Sequence, residues 1–108
     1  MIVYEVNIDV REAVFDDYRA WLSPHVAEIL ALPGFIGAEI FERRDPPPAP
    51  GVRALTVWYR LVDEAALQRY LAEHAPRLRE DGLRRFGDAA SATRRVLAPM
   101  TVGDSSHS

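Results

Sequence analysis

The sequence predicts an α+β domain in which four strands and two helices follow the order β-α-β-β-α-β. Three observations favour this fold class: four short segments alternate in hydrophobicity, two longer ones repeat it every three or four residues, and turn-forming residues separate them. With 108 residues, 48% of them hydrophobic and 27% charged, the chain can build one hydrophobic core. We therefore expect one domain at residues 1–98, followed by a tail at residues 99–108.

The first strand is predicted at residues 2–10, where apolar and polar residues alternate with a period of two. A helix follows from Glu12 and should end at Leu32-Pro33-Gly34. Its hydrophobic stripe consists of Val14 or Phe15, Tyr18, Leu22, Val26, Ile29 and Leu30. Pro24 removes a backbone hydrogen bond within this helix, so we expect a kink or a restart with Ser23 as the N-cap.

The second and third strands are predicted at residues 35–43 and 54–62. The loop between them contains four of the eight prolines, which makes it stiff and extended. In the second strand, simple alternation places Ile36, Ala38 and Ile40 on one face and Phe35, Gly37, Glu39 and Phe41 on the other.

The second helix should begin after Asp63, which can cap it, and should be interrupted at Pro76 before it ends near Phe86-Gly87. Its buried side is predicted to carry Leu67, Tyr70, Leu71, His74 and Leu78. A last short strand is predicted at residues 92–98. Residues 103–108 contain nothing apolar to anchor them, so we expect them to fray.

This element order is typical of the ferredoxin-like fold, in which both helices cover one face of an antiparallel sheet and strands one and three are central. The helix face should carry Ile2, Tyr4, Val6 and Ile8 with Leu55, Val57, Tyr59 and Leu61. The opposite face carries Glu5, Asn7, Trp58 and Arg60 at its centre. Because a monomer would expose Trp58 and its apolar neighbours, we expect a homodimer formed through that face.

Composition excludes several classes of function. The chain has neither cysteine nor lysine, which excludes thiolate nucleophiles, thiolate metal sites, disulfides and lysine Schiff bases. Its net charge is −3, and Arg77, Arg79, Arg84 and Arg85 are interleaved with acidic residues as on a solvated helix face, so no nucleic-acid partner is expected. No apolar run is long enough for a membrane span and no signal-peptide core follows Met1, so we expect a cytoplasmic protein.

No motif in the chain points to a familiar hydrolytic or phosphate-binding site. The glycines are spaced for turns and strands rather than for a phosphate loop, and neither G-x-S-x-G nor H-E-x-x-H occurs. Hydrolase chemistry therefore has no candidate nucleophile.

Several short segments resemble the bacterial domain-of-unknown-function family 4286 over about residues 1–98. They are Tyr4-Glu5-Val6-Asn7, Trp21-Leu22 with His25, Leu32-Pro33-Gly34-Phe35, Tyr59-Arg60, Tyr70-Leu71 with His74-Ala75, Arg85-Phe86-Gly87 and Arg94-Arg95-Val96-Leu97. The resemblance implies membership of the dimeric α+β barrel superfamily, in which two ferredoxin-like sheets close on each other. That superfamily includes antibiotic-biosynthesis monooxygenases, haem-degrading enzymes and muconolactone-isomerase-like proteins, but the family itself implies no activity.

The haem-degrading branch of this superfamily uses an Asn on the first strand and a Trp and a His on the second helix. This sequence offers Asn7, Trp58 and His74, but Trp58 is predicted on a strand and the second helix has Tyr70 where the Trp would be needed. We therefore expect no cofactor, with haem as the alternative.

One candidate site lies between the helices and the sheet. Tyr18, Trp21 and His25 share one side of the first helix, and Tyr70 and His74 share one side of the second. If the antiparallel helices bring the two histidines to similar depth, His25 and His74 could act as acid or base beside a stacking wall of Tyr18, Trp21 and Tyr70. The alternatives are amphipathic residues at the rim of the core, or a metal site completed by Glu28 or Glu73; we predict no metal.

A second candidate site lies on the opposite sheet face. There Asn7, Trp58 and Arg60 could anchor a ligand, and Glu5 or Glu39 could accept a proton with a raised pKa. Alternatively, Glu5, Glu39, Arg60, Arg94 and Arg95 form ion pairs between subunits that fix the register of a dimer.

These observations lead to two hypotheses for the function. The first is a cofactor-independent enzyme, similar to a monooxygenase or an isomerase, that acts on a small apolar or aromatic metabolite. The second is a non-catalytic module that binds a small ligand or a protein partner. A closed pocket with a titrating histidine or carboxylate beside apolar walls would favour the enzyme, and a filled, dry cleft would favour the module.

Overall fold

The computed structural model describes residues 1–100 as one antiparallel sheet with helices on one face. Its strands are β1 (Ile2–Arg11), β2 (Phe35–Glu42), β3 (Val52–Leu61) and β4 (Ala90–Leu97). Its helices are α1 (Phe15–Leu30), α2 (Glu64–Glu73) and α3 (Ala75–Phe86), with short 3-10 turns at Glu12–Val14 and Gly87–Ala89. The strand order is β2-β3-β1-β4 with antiparallel neighbours, so the predicted ferredoxin-like fold is confirmed.

The register of the central strands determines which side chains enter the core. Tyr4 on β1 lies opposite Tyr59 on β3, and Ile8 lies opposite Leu55, so these residues share the face on which the helices pack. All four are buried in one hydrophobic cluster with the stripe of α1. Burying a large apolar side chain stabilises a fold by about 1.5–3 kcal/mol, so this face supplies much of the driving force for folding.

Helix α1 runs without interruption from Phe15 to Leu30, with Pro24 inside it. The predicted restart with Ser23 as N-cap is therefore wrong. Pro24 has no backbone N–H, so the helix lacks one hydrogen bond there, but Leu22 and Val26 on either side are buried against the sheet. Their burial keeps the two halves of α1 in one helix, which a local signal from proline does not reveal.

The second predicted helix is divided at the expected place. Asp63 caps α2, since its Oδ1 accepts a hydrogen bond of 2.8 Å from the backbone N–H of Ala66. His74 then leaves helical geometry, with φ −125° and ψ −36°, and Pro76 lies in the first turn of α3. Proline suits that position because the first helical N–H groups lack partners in any case.

A β-bulge in β2 changes which of its residues face the helices. The pairing with β3 shifts between Phe35 and Gly37, so the simple alternation predicted for this strand is wrong at its start. The Phe35 ring packs edge-on against Tyr59 and Tyr70, whereas Ile36 is exposed.

Two further predictions concern the C-terminal tail and membrane-spanning segments. The expected frayed segment at residues 103–108, including His107, lies outside the described residues. Among the helices of residues 1–100, none is both long and apolar enough to cross a membrane.

Candidate functional site

A cavity of about 420 Å³ lies between the sheet and helices α1 and α3. Its floor is the helix face of β1 and β4, including Val6 and Ala92. The lining residues Ser91, Ala92 and Arg94 on β4 are exposed, so the cavity opens beside this edge strand. Its volume lies within the range of about 300–1,000 Å³ that is usual for small-molecule sites.

Aromatic rings contribute to the cavity wall, and all four tyrosines of the chain line it. The ring centroids of Tyr18 and Trp21 lie 5.4 Å apart, and Phe86 packs against both. Tyr4 meets Tyr70 edge-on at 5.9 Å. The structure therefore brings Tyr18, Trp21 and Tyr70 to one cavity, while their role in ligand binding stays a prediction.

His25 belongs to the same wall, where its ring stacks on Trp21 with centroids 4.3 Å apart. Burial lowers the pKa of His25 below its usual value of 6.5, while the negative charges of Glu28 and Asp81 act in the opposite direction. The imidazole is therefore mainly neutral at pH 7. A neutral imidazole in a cavity wall can accept a proton from a bound molecule.

Two arginines that sequence reasoning did not assign to a site also line the cavity. Arg79 on α3 donates a hydrogen bond of 2.9 Å from Nη2 to the Tyr4 hydroxyl. Arg94 on β4 lies opposite Val6 of β1, on the helix face of the sheet. The interpretation of a solvated helix face suits Arg84, which pairs with acidic residues of its own helix. Arg79 is exposed as well, but its guanidinium also reaches the cavity and Tyr4.

His74 lies outside this cavity. It stands between α2 and α3, its side chain is half-buried, and its Nε2 is 4.0 Å from the Glu73 carboxylate. Because the chain leaves helical geometry at this residue, His74 does not continue the side of α2 that carries Tyr70 into the cavity. The expectation that His25 and His74 meet in one helix-side site is wrong.

The second candidate site is occupied by the protein's own polar side chains. The Glu5 carboxylate is 3% exposed and accepts hydrogen bonds from Asn7 Nδ2 at 2.7 Å, Trp58 Nε1 at 2.9 Å and Arg95 Nε at 2.5 Å. The Asn7 side-chain oxygen accepts a further bond from Thr56. Asn7 and Trp58 therefore support Glu5 rather than line an open pocket.

These contacts also change the expected chemistry of the acidic residues on that face. Hydrogen bonding by Arg95, opposed by burial, lowers the pKa of Glu5 to about 2, so the predicted proton acceptor with a raised pKa is wrong for Glu5. Arg60 pairs with Glu39 on the neighbouring strand. Arg60–Glu39 and Arg95–Glu5 are therefore ion pairs between neighbouring strands of one chain.

The geometry also bears on the metal alternative. Within residues 1–100, no group of three or more histidine, aspartate or glutamate side chains could hold a metal ion. His25 and His74, with Glu28 or Glu73, thus do not form the metal site that was considered from the sequence.

The sequence contains ambiguous signals for Arg79 and Arg94, the two cavity arginines that it did not assign to a site. Alternation along β4 separates Arg94 from Arg95, and the register places Arg94 on the helix face. Arg79 meets a partner 75 positions away along the chain, which helix spacing alone cannot indicate.

Comparison with known proteins gives a family and a fold. The family described as domain of unknown function DUF4286 matches residues 1–100. No curated protein matches the chain.

Several solved structures share the fold at low sequence identity. A variant of SnoaB, a cofactor-independent oxygenase from Streptomyces nogalater, is 15% identical, with a TM-score of 0.66 over 96% of this chain and 98% of its own. A protein of Deinococcus radiodurans assigned to the antibiotic biosynthesis monooxygenases is 11% identical, with a TM-score of 0.72 over 99% and 100%. The heme-degrader MhuD of Mycobacterium tuberculosis, with two hemes bound, is 18% identical, with a TM-score of 0.64 over 95% and 100%. At such identities the likeness concerns the fold alone.

Proposed function

The chain belongs to the DUF4286 family, and we propose that it is a cytoplasmic, homodimeric, cofactor-independent enzyme that binds a small aromatic or apolar molecule in the helix-side cavity. The observation that carries this proposal is the aromatic-walled cavity with His25 in its wall. A module that binds a protein partner would need no pocket of this size, and a module that only binds a small ligand would need no neutral histidine facing it.

In the proposed reaction, His25 is the base. It accepts a proton from an activated C–H or O–H group of the bound molecule, and burial keeps the imidazole free to do so at neutral pH. Returning the proton to another carbon gives an isomerisation. Alternatively, the ligand anion reacts with O₂ and supplies the electrons for its reduction. An activated CH₂ group then becomes C=O with one oxygen atom, and the other oxygen atom leaves as water. The oxygenase among the structural neighbours supports the second course by analogy.

Haem is the alternative group suggested by one structural neighbour. The three residues that motivated it do not converge here, because Asn7 and Trp58 lie on the outer sheet face around Glu5 and His74 lies outside the cavity. Titration with haemin should give no saturable one-to-one shift of its Soret band, and a stoichiometric complex would favour the haem alternative.

Binding can be tested with 2-naphthamide, a neutral planar probe, by isothermal titration calorimetry. Val6→Phe places an aromatic ring on the cavity floor, where it fills space open to the ligand, and should weaken binding at least tenfold. Val62→Phe, at an exposed position outside the cavity, is the matched control and should leave binding within twofold. Equal affinity in both variants would contradict the helix-side cavity as the binding site.

Catalysis requires a separate test, because binding alone does not distinguish an enzyme from a module. Native mass spectrometry of freshly purified protein should reveal a bound small molecule, which is then incubated with the protein. His25→Gln should retain the binding affinity within a few-fold but lose turnover. His74→Gln should retain both binding and turnover. Equal turnover in the wild type and His25→Gln would remove His25 from the mechanism.

A further inference from the structure

The cavity contains an excess of positive charge that the protein itself does not neutralise. Arg79 and Arg94 both line it, whereas Asp88 is its only carboxylate among the described residues. Within residues 1–100, neither arginine forms a salt bridge. Arg79 gives one hydrogen bond to the neutral Tyr4 hydroxyl, which leaves most of its five N–H donors available.

Tyrosine hydroxyls add further donors to the same space. Within the described residues, the hydroxyls of Tyr18, Tyr59 and Tyr70 have no hydrogen-bond partner. No fully buried side-chain polar atom of these residues lacks a partner, so the three hydroxyls keep some access to the cavity or to solvent. Burial raises the pKa of Tyr18 and Tyr70 to about 12, so both stay protonated and can donate. The cavity thus offers donors of two kinds beside a wall of aromatic rings.

We infer that the preferred ligand of this cavity is an aromatic carboxylic acid, whose planar ring packs against the aromatic wall while its carboxylate binds Arg79 and Arg94. This inference rests on the proposed function, because it specifies the ligand of the same cavity. Guanidinium groups suit a planar carboxylate, with which they form paired, charge-assisted hydrogen bonds. An uncharged aromatic molecule would leave the excess positive charge of the cavity without a counter-charge.

The two arginines have different parts in this recognition. Arg94 lies on the exposed strand at the mouth, so it meets the carboxylate first and remains partly solvated. Arg79 is exposed as well, but its Nη2 donates a hydrogen bond to the hydroxyl of Tyr4, which is buried in the core and restricts the guanidinium. The arrangement places one fixed donor and one adaptable donor around the acid group.

The test compares 2-naphthoate with its neutral, nearly isosteric amide, 2-naphthamide, by calorimetry at pH 7. The wild-type protein should bind 2-naphthoate at least about tenfold more tightly than 2-naphthamide, as expected for charge-assisted hydrogen bonds in a partly open site. Raising the salt concentration from about 0.05 to 0.5 M should weaken the binding of 2-naphthoate and leave the affinity for 2-naphthamide unchanged.

Three variants locate the preference. Arg94→Gln and Arg79→Gln should each reduce the affinity for 2-naphthoate at least fivefold and alter that for 2-naphthamide less than twofold. Arg94→Gln removes no intramolecular hydrogen bond, so it keeps the test valid if Arg79→Gln impairs folding. Arg84→Gln, on the same helix as Arg79 but outside the cavity, should bind both probes as the wild type does.

The possible failures are distinguishable. If both probes bind with equal affinity, the inferred acid preference is wrong while the cavity remains a binding site. If neither probe binds, the proposed function fails as well. If all three arginine variants weaken 2-naphthoate equally, the preference reflects the overall charge of the surface rather than this site.

Discussion

Glu5 is the residue whose surroundings contrast most with its polarity. Its carboxylate is buried at the centre of the sheet, yet three side chains donate hydrogen bonds to it, so the charge has partners on both oxygens. Removing one partner of a buried charge leaves the other unsatisfied, which is costly. This cluster stabilises the fold and gives stability a dependence on pH.

The sign of that dependence follows from the pKa of Glu5. It is about 2 in the folded protein and 4.5 without these contacts, so the stabilisation is complete above pH 4.5 and is lost as the pH falls towards 2. At about 1.4 kcal/mol per pKa unit this corresponds to about 3.5 kcal/mol, which solvent screening at the exposed Arg95 reduces to roughly 2–3 kcal/mol. Glu5→Gln should therefore be less stable than the wild type by about this amount at pH 7, with a smaller difference at pH 3.

Urea unfolding at both pH values measures this difference. Glu80→Gln, which changes an exposed carboxylate on α3, serves as the control and should have little effect at either pH. An equal loss of stability at pH 7 and pH 3 in Glu5→Gln would show that the charge of Glu5 is not the source.

Among the connections between elements, the turn from α1 into β2 depends on a single glycine. Gly34 has φ +88°, and an added Cβ would lie 2.5 Å from the Cβ of Ala66 in α2. Gly34→Ala should therefore lower the free energy of unfolding by about 2–4 kcal/mol, through backbone strain and a clash between packed elements.

Gly51 provides a matched control in the loop before β3. Its φ is +77°, but an added Cβ would meet nothing within 4 Å. Gly51→Ala should lower the free energy of unfolding by only about 1 kcal/mol. Similar losses in the two variants, measured by urea unfolding, would refute the contact between Gly34 and α2.

Local patterns predict the elements well where one face of the element is apolar. Alternation in β1 and β3 correctly indicated which residues, such as Tyr4 and Tyr59, face the helices, because burial acts on every second residue. The bulge at Phe35 and the continuity of α1 across Pro24 depend on contacts with distant segments. A sequence pattern does not contain that information.

The candidate site was predictable to the same extent. Helical spacing placed Tyr18, Trp21 and His25 on one side of α1, and all three line the cavity. His74 was misplaced because the helix axis changes there. Arg79 was missed because a charged residue on a helix usually faces solvent, and only the packing of α3 on the sheet brings it to Tyr4.

For the whole molecule, the outer face of the sheet is the surface through which we expect two copies to associate. Phe41 packs edge-on against Trp58 there, and it remains 43% exposed. Phe41→Glu should convert the dimer to a monomer at about 10 μM in sedimentation equilibrium, because it places a charge in the apolar part of the interface.

Leu83→Glu is the control for that experiment, since Leu83 is exposed on α3 on the other side of the sheet. It should leave the dimer intact. A wild-type protein that is monomeric at this concentration would contradict the expected dimer.

The central claim is that small aromatic molecules bind on the helix side of the sheet, and the two tryptophans report on its two sides. Trp21 lines the cavity, whereas the indole N–H of Trp58 donates to Glu5 on the outer face. Titration of ¹⁵N-labelled protein with 2-naphthamide should shift the Trp21 indole resonance saturably and leave that of Trp58 in place. A saturable shift of Trp58 with an unchanged Trp21 resonance would place the site on the opposite face and contradict the claim.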